Sequence, residues 1–273
     1  MTPGVDSGAA LVVREGALGD FVLTLPVIRA LTTIGPVHVA TAPRYAPLLP
    51  EGATLVSADW MWRGGPPPIP YRLAVAFSGG AADALRTAGL PEVRSVSPRP
   101  PPGVHAVDHF ASVLAGLVAV DRTPRVRARG GGQTPDRPIV LAPGSGGADK
   151  RWPIERWRRV AAAIDTLLVT EGHPASHVVW VRGPVEAEED WPVDAVCPDL
   201  EGLVALATSC RTWLGPDAGP SHLAAAVGAR VGVVFGVTDP ACWAPVGARI
   251  WPWDIDPVAL ASWATASCIT HRV

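Results

Sequence analysis

The chain has 273 residues, nearly half of them hydrophobic, enough for one large domain or two small ones with cores of their own. Charge is sparse and almost balanced, 23 basic against 25 acidic residues for a net of −2, which excludes a protein held on nucleic acid by a broad basic field. No apolar run reaches the roughly 18 residues of a membrane-spanning helix, the first residues lack the order of a signal peptide, and the four cysteines form no CxxC pair; the expectation is a reduced, cytoplasmic protein, with contact at a membrane surface left open.

In chain order, residues 10–14 read as a buried strand and 21–32 as a helix. Residues 37–41, 54–57 and 73–77 read as further strands, and 81–88 and 107–120 as helices. Residues 64–70 and 98–103 are proline-rich loops, and residues 122–136, charged and carrying three consecutive glycines, read as an interdomain linker. The alternation then restarts. Strands are expected at 139–142, 177–181, 212–214 and 231–235, and helices at 154–168, 203–209, 221–227 and 256–266. This is an α/β chain of two Rossmann-like halves, residues 1–134 and 135–273. Residues 1–136 carry 12 Arg against 10 acids, and residues 137–273 carry 11 basic residues against 15 acids. An anion bound by the second half therefore needs a focused site.

Of the 23 basic residues, 22 are arginine; Lys150 is the only lysine, and asparagine is absent. Such a composition, with 28 Gly and 30 Pro, is that of a GC-rich coding sequence. Against it a solitary ammonium is expected to mark a position that a planar guanidinium cannot fill. Lys150 stands in Pro143-Gly-Ser-Gly-Gly-Ala-Asp-Lys-Arg-Trp-Pro153, between a strand and a helix. A Gly/Ser loop there offers backbone N–H groups to a phosphate, and Ser145, Gly146 and Lys150 are the candidates. It is not a Walker A loop, since Asp149 and Arg151 flank the lysine. The blander reading is a flexible turn with a solvated lysine.

Three other segments could carry chemistry. Gly16-Ala-Leu-Gly19-Asp20 lies at the first strand-to-helix turn; Asp20 is a candidate general base or, alternatively, only a helix N-cap. Gly215-Pro-Asp217-Ala218-Gly219-Pro-Ser-His222 opens a small-residue helix, where Asp217 and His222 contact a ligand or serve as cap and surface histidine. Glu186 follows a later strand, placed to hold a ribose or merely to start an acidic helix. His105 and His109 are four apart, but a metal needs a third ligand that their helix face lacks. The cluster Arg122, Arg125, Arg127 and Arg129 reads as a solvated linker.

The ordered set Gly16–Pro26, Pro143–Trp157, Gly215–Ala226 and Phe235-Gly-Val-Thr-Asp-Pro240 resembles the lipopolysaccharide heptosyltransferases, glycosyltransferase family 9. The resemblance implies a GT-B fold, two Rossmann-like domains facing each other across a cleft, the first binding the acceptor and the second the donor. It implies an inverting transferase that moves a heptose from ADP-heptose to a glycan or lipid-linked hydroxyl, needing neither metal nor cofactor. It makes Asp20 the catalytic base, with Gly16 and Gly19 shaping its loop. Lys150, Ser145 and Gly146 would serve the diphosphate, Asp217, Ala218, Gly219 and His222 the phosphate and sugar end, and Glu186 the ribose. A monomer is expected, with no nucleic-acid partner. The chain is shorter than is usual in the family, mainly in its first half, and carries Ala218 where some members have a hydroxyl. The alternative is a homologue that binds a sugar nucleotide as a partner or regulator without transferring it.

Overall fold

The computed structural model describes residues 8–127, 137–170, 178–183, 191–192 and 194–269. The chain divides into two compact units, Met1–Arg127 and Ala128–Val273. The expected boundary at 134/135 and Glu186 both fall outside the described residues.

The first unit holds β1 (Ala9–Val13), α1 (Leu18–Thr32), β2 (Val37–Ala40), β3 (Ala53–Leu55), α2 (Asp59–Trp62), β4 (Tyr71–Ala76), α3 (Gly79–Thr87), β5 (Val93–Ser95) and α4 (Ala106–Ala111). Its strands form a parallel sheet in the order β3-β2-β1-β4-β5. β1, Ala-Ala-Leu-Val-Val, is buried along its whole length, as a central parallel strand covered on both faces must be. Leu11, Val13, Ala74 and Ala76 pack with Ala81, Ala82 and Leu85 of α3 on one face, while α1 packs against α4.

The second unit holds β6 (Ile139–Leu141), α5 (Ile154–Thr170), β7 (Val178–Trp180), α6 (Leu200–Ser209), β8 (Thr212–Pro216), α7 (Gly219–Ala226), β9 (Val231–Phe235), α8 (Pro240–Trp243), β10 (Arg249–Pro252) and α9 (Pro257–Ile269). Its parallel order is β10-β9-β8-β6-β7. α5 and α9 pack together, with Trp157, Val160, Ile164 and Leu168 meeting Leu260, Ala261 and Ala264 over the strands. Trp152 sits against Trp157, ring centroids 5.1 Å apart and nearly perpendicular, and its Nε1 donates to the Trp253 carbonyl at 2.8 Å. That anchor fixes the far end of the loop leaving β6.

Each sheet reverses its strand order once, between β1 and β4 and between β6 and β8. Ligands of open α/β sheets bind beyond the carboxyl ends of the strands at such reversals. The loops carrying Asp20, Lys150 and Asp217 all leave from these strands.

Several elements differ from the sequence reading. The helix expected over 107–120 is α4 plus a single 3-10 turn, Ser112–Leu114, and the chain then turns at Gly116 with φ +73°. α6 starts earlier than expected because Asp199 caps it, accepting from the Gly202 N–H at 2.8 Å. The edge strands β5 and β10 are too short and too polar to show as apolar runs. β10 ends in Pro252, which an edge strand tolerates. The stretch from Arg122 to Arg127 lies along the first unit, pairing Arg122 with Asp108 at 3.1 Å and Arg125 with Asp121 at 3.3 Å. Among the described residues no helix is long and apolar enough to cross a membrane.

Candidate active site

In the first unit, β1 runs into Arg14, and α1 begins after a turn at Gly16. With φ +126° this position is open to glycine, and a Cβ there would also lie 3.3 Å from the Asp20 carboxylate. The N-cap of α1 is Ala17, which offers no side-chain cap, so Asp20 is not the N-cap but stands in the first helical turn behind the buried Gly19. Its Oδ1 lies 3.2 Å from Arg14 Nη2, and a third of its side chain remains exposed. Arg14 is only 2% exposed, its Cζ 5.3 Å from the Phe77 ring and 4.9 Å from the Phe110 ring. Burial pushes the Arg14 guanidinium below its ordinary range, and the Asp20 carboxylate pulls it back up. In the sequence Arg14 closes an expected strand, and its one signal is a charge at the end of an otherwise apolar run.

In the second unit, the loop leaving β6 folds as a 3-10 turn, Ala148–Lys150, rather than a loose segment. Lys150 Nζ donates to Asp217 Oδ2 at 2.8 Å. Thr238 Oγ1 donates to the same oxygen at 2.7 Å, and His222 Nε2 lies 3.4 Å from Oδ1. Asp217 and His222 are each 5% exposed, so the histidine is a buried partner and not a surface residue. Burial alone pushes the Asp217 carboxyl up. The hydrogen bonds from His222 and Lys150, the charge of Lys150 and the hydrogen bond from Thr238 outweigh it and hold the group at about 2. The carboxylate is therefore charged at neutral pH. Lys150 keeps 32% of its side chain exposed and has two further N–H donors.

The N-cap of α7 is Ala218, which supplies no side-chain cap, and Gly219 and Pro220 open the helix. Its first turn thus keeps its positive end free of a competing side-chain acceptor. Gly215 allows this closeness: a Cβ there would lie 2.8 Å from Ser221 Oγ and 2.9 Å from the Ala142 carbonyl, bringing the ends of β6 and β8 beside the start of α7. Ser145 is buried, and its Oγ lies 3.4 Å from the Gly147 N–H while its carbonyl accepts from Arg151 Nε at 2.8 Å. Gly146 is exposed, and a Cβ there would meet nothing within 4 Å. In the sequence Thr238 stands only within a matching segment; its contact with Asp217 emerges from the fold.

The two histidines of α4 have structural work. His105 Nδ1 accepts from the Val107 N–H at 3.3 Å as the helix cap, and His109 Nε2 lies 2.9 Å from the Ser97 carbonyl.

Residues 116–252, half of the chain, match the model of glycosyltransferase family 9 (heptosyltransferase). The chain belongs to glycosyltransferase family 9. It is a glycosyltransferase, and its two parallel sheets are those of the GT-B fold. Family 9 structures similar in fold include a glycosyl transferase from Veillonella parvula, 16% identical, with a TM-score of 0.72 over 98% of this chain and 90% of that one. The E. coli ADP-heptose lps heptosyltransferase II is 17% identical, with a TM-score of 0.71 over 97% and 100%. The E. coli heptosyltransferase WaaC, solved with ADP, is 17% identical with a TM-score of 0.68 over 94% and 99%. A search of the curated proteins finds no match. The family 9 match begins at Gly116 and so leaves most of the first unit, Asp20 included, to the fold and the local geometry.

Proposed function

We propose that this family 9 enzyme transfers a heptose from ADP-heptose to a hydroxyl of a glycan or lipid-linked acceptor, as in lipopolysaccharide assembly, by a single inverting displacement that needs no metal ion. The acceptor oxygen bonds to the anomeric carbon as the bond from that carbon to the diphosphate oxygen breaks. The acceptor proton goes to Asp20, and the nucleoside diphosphate departs with the electron pair. Attack opposite the leaving group inverts the anomeric centre.

The observation that carries this reading is the cluster of Lys150, Asp217, Thr238 and His222 at the strand reversal of the second unit. Charge grows on the diphosphate as its bond to the sugar breaks, and pre-oriented donors aimed at such charge are a principal source of catalysis. Lys150 and the uncapped first turn of α7 supply them. Solved relatives hold the corresponding kind of ligand: WaaC was crystallised with ADP and with ADP-2-deoxy-2-fluoro heptose. Asp20 supports transfer over mere binding. A partially exposed carboxylate held by a buried arginine has the chemistry to take a proton from an acceptor hydroxyl.

The test is calorimetry of the intact chain against ADP-, UDP- and GDP-sugars, with turnover of Asp20→Asn. ADP-linked donors are expected to bind, and Asp20→Asn to lose transfer while binding ADP as the wild type does. Full transfer by Asp20→Asn removes the base assignment, and no binding of any nucleotide sugar removes the donor site.

A further inference from the structure

One residue of the second unit holds both loops that meet at Asp217. Lys150 reaches Asp217 Oδ2 from the loop after β6, and Thr238 reaches the same oxygen from the loop after β9. The first of these loops is drawn tight by its own backbone. Lys150 N–H donates to the Gly147 carbonyl at 3.1 Å and Arg151 N–H to the Ala148 carbonyl at 3.2 Å. Two places after Lys150, Trp152 Nε1 donates to the Trp253 carbonyl at 2.8 Å. Arg156 Nη1 donates to that carbonyl at 3.2 Å, with its Cζ 5.3 Å from the centre of the Trp152 ring.

The second loop meets the Trp253 ring. Pro252 of β10 is registered with Phe235 of β9, which places Trp253 beside Gly236. A Cβ at position 236 would lie 2.7 Å from Trp253 Cζ3 and closer still to Cε3, so the ring sits on bare backbone and any side chain there would displace it. Gly236 stands two places before Thr238. Trp253 itself is half-buried and packs against the core of the second unit. A large rigid ring with only two side-chain torsions suits such a clamp.

We propose that Trp253 is a positioning residue for donor binding, its carbonyl fixing the Lys150 loop and its ring fixing the Thr238 loop so that both side chains converge on Asp217. The inference rests on the proposed diphosphate site at Lys150 and adds that the site is set from the end of β10. Without the ring, Gly236 and Thr238 shift and Asp217 Oδ2 loses a donor. Lys150 then turns more of its N–H groups onto the carboxylate and fewer toward a phosphate.

The experiment is calorimetry of the intact chain with ADP and with adenosine, beside thermal unfolding. The variants are Trp253→Leu, Trp253→Phe, Lys150→Ala, and Trp253→Leu combined with Lys150→Ala. Trp253→Leu should weaken ADP binding about tenfold, a size usual for residues coupled through contact, and leave adenosine affinity unchanged. Trp253→Phe keeps a ring over Gly236 and should recover most of that loss. In the double variant the losses should not add, and ADP should bind as it does to Lys150→Ala alone. ADP affinity unmoved by Trp253→Leu, or a loss that adds in full to that of Lys150→Ala, overturns the proposal and leaves Trp253 a structural residue. Should Trp253→Leu fail to fold, Trp152→Phe cuts the hydrogen bond from the other side and repeats the cycle; it should weaken ADP binding about threefold, and no loss there overturns the proposal equally. If Lys150→Ala weakens ADP binding and these variants do not, only this inference falls; if Lys150→Ala binds ADP as the wild type does, the donor reading at Lys150 falls with it.

Discussion

Lys150→Ala separates two jobs of one ammonium: neutralising Asp217, which the structure shows, and meeting the donor diphosphate, as proposed. The Asp217 carboxyl is held at about 2 against an ordinary 3.8, a difference of about 2 kcal/mol at neutral pH. Because the folded value is the lower one, that stabilisation is complete above pH ~4 and is lost as pH falls through about 2. His222, Lys150 and Thr238 share it, and Lys150 is one-third exposed, so water replaces part of what its removal takes away. Lys150→Ala should therefore cost about 1 kcal/mol, or ~2–4 °C in Tm. A charge-assisted contact to the diphosphate contributes about 1.5–3 kcal/mol, so ADP binding should weaken roughly ten- to hundredfold. Calorimetry with ADP and with adenosine, beside thermal unfolding at neutral pH, reads both effects; adenosine affinity should not move. A variant that loses those few degrees yet binds ADP within about twofold of wild type refutes the reasoning, because Lys150 would then serve only its carboxylate.

Removing the other groups should give distinguishable results. Thr238→Val deletes the 2.7 Å hydrogen bond to Asp217 and should cost about 1 kcal/mol in urea unfolding at neutral pH, with ADP binding weakened less than in Lys150→Ala. Arg14→Met leaves Asp20 without its partner at 3.2 Å and should lower kcat by up to about a hundredfold while ADP affinity is unchanged, with Arg14→Lys recovering part of the loss. An ADP affinity that falls with Arg14→Met would mean a general folding defect rather than mispositioning of Asp20.

The second unit was the more legible in the sequence, for a physical reason. β6, β8 and β9 are buried along their length, so their runs are largely apolar, and a glycine near the end of β8 sits where backbone must approach closely. Gly215 shows the constraint, since a side chain there would strike the Ala142 carbonyl. In the first unit the informative pieces are short. β3 and β5 have three residues each and α2 has four, too few to show a period. A cavity at the carboxyl ends of β1, β2 and β3 was invisible in the sequence, because its lining residues Glu15, Thr41 and the α2 pair Asp59 and Trp62 come from three separate segments joined only by sheet order. Arg14 and Thr238 were missed for a related reason: each acts through the carboxylate of another segment, Asp20 in α1 and Asp217 after β8, and a single polar residue gives no pattern.

The Asp217 carboxylate also alters what the solitary lysine means. A buried negative charge is on its face the wrong sign for a site proposed to receive a diphosphate, in a half-chain already carrying 15 acids against 11 basic residues. Its oxygens are occupied, however, and its charge is matched by the ammonium 2.8 Å away. The pair adds no net charge, so its contribution is direction: a flexible four-carbon side chain is held at one end by Asp217 while its remaining donors stay free. An ammonium suits that arrangement because its three N–H groups diverge from one atom, so one can grip the carboxylate while others meet a phosphate. A guanidinium in the same place would turn its planar fork onto Asp217 as a bidentate pair and spend its best geometry internally. That difference accounts for a lysine at this one position in a chain that otherwise uses arginine for every basic residue.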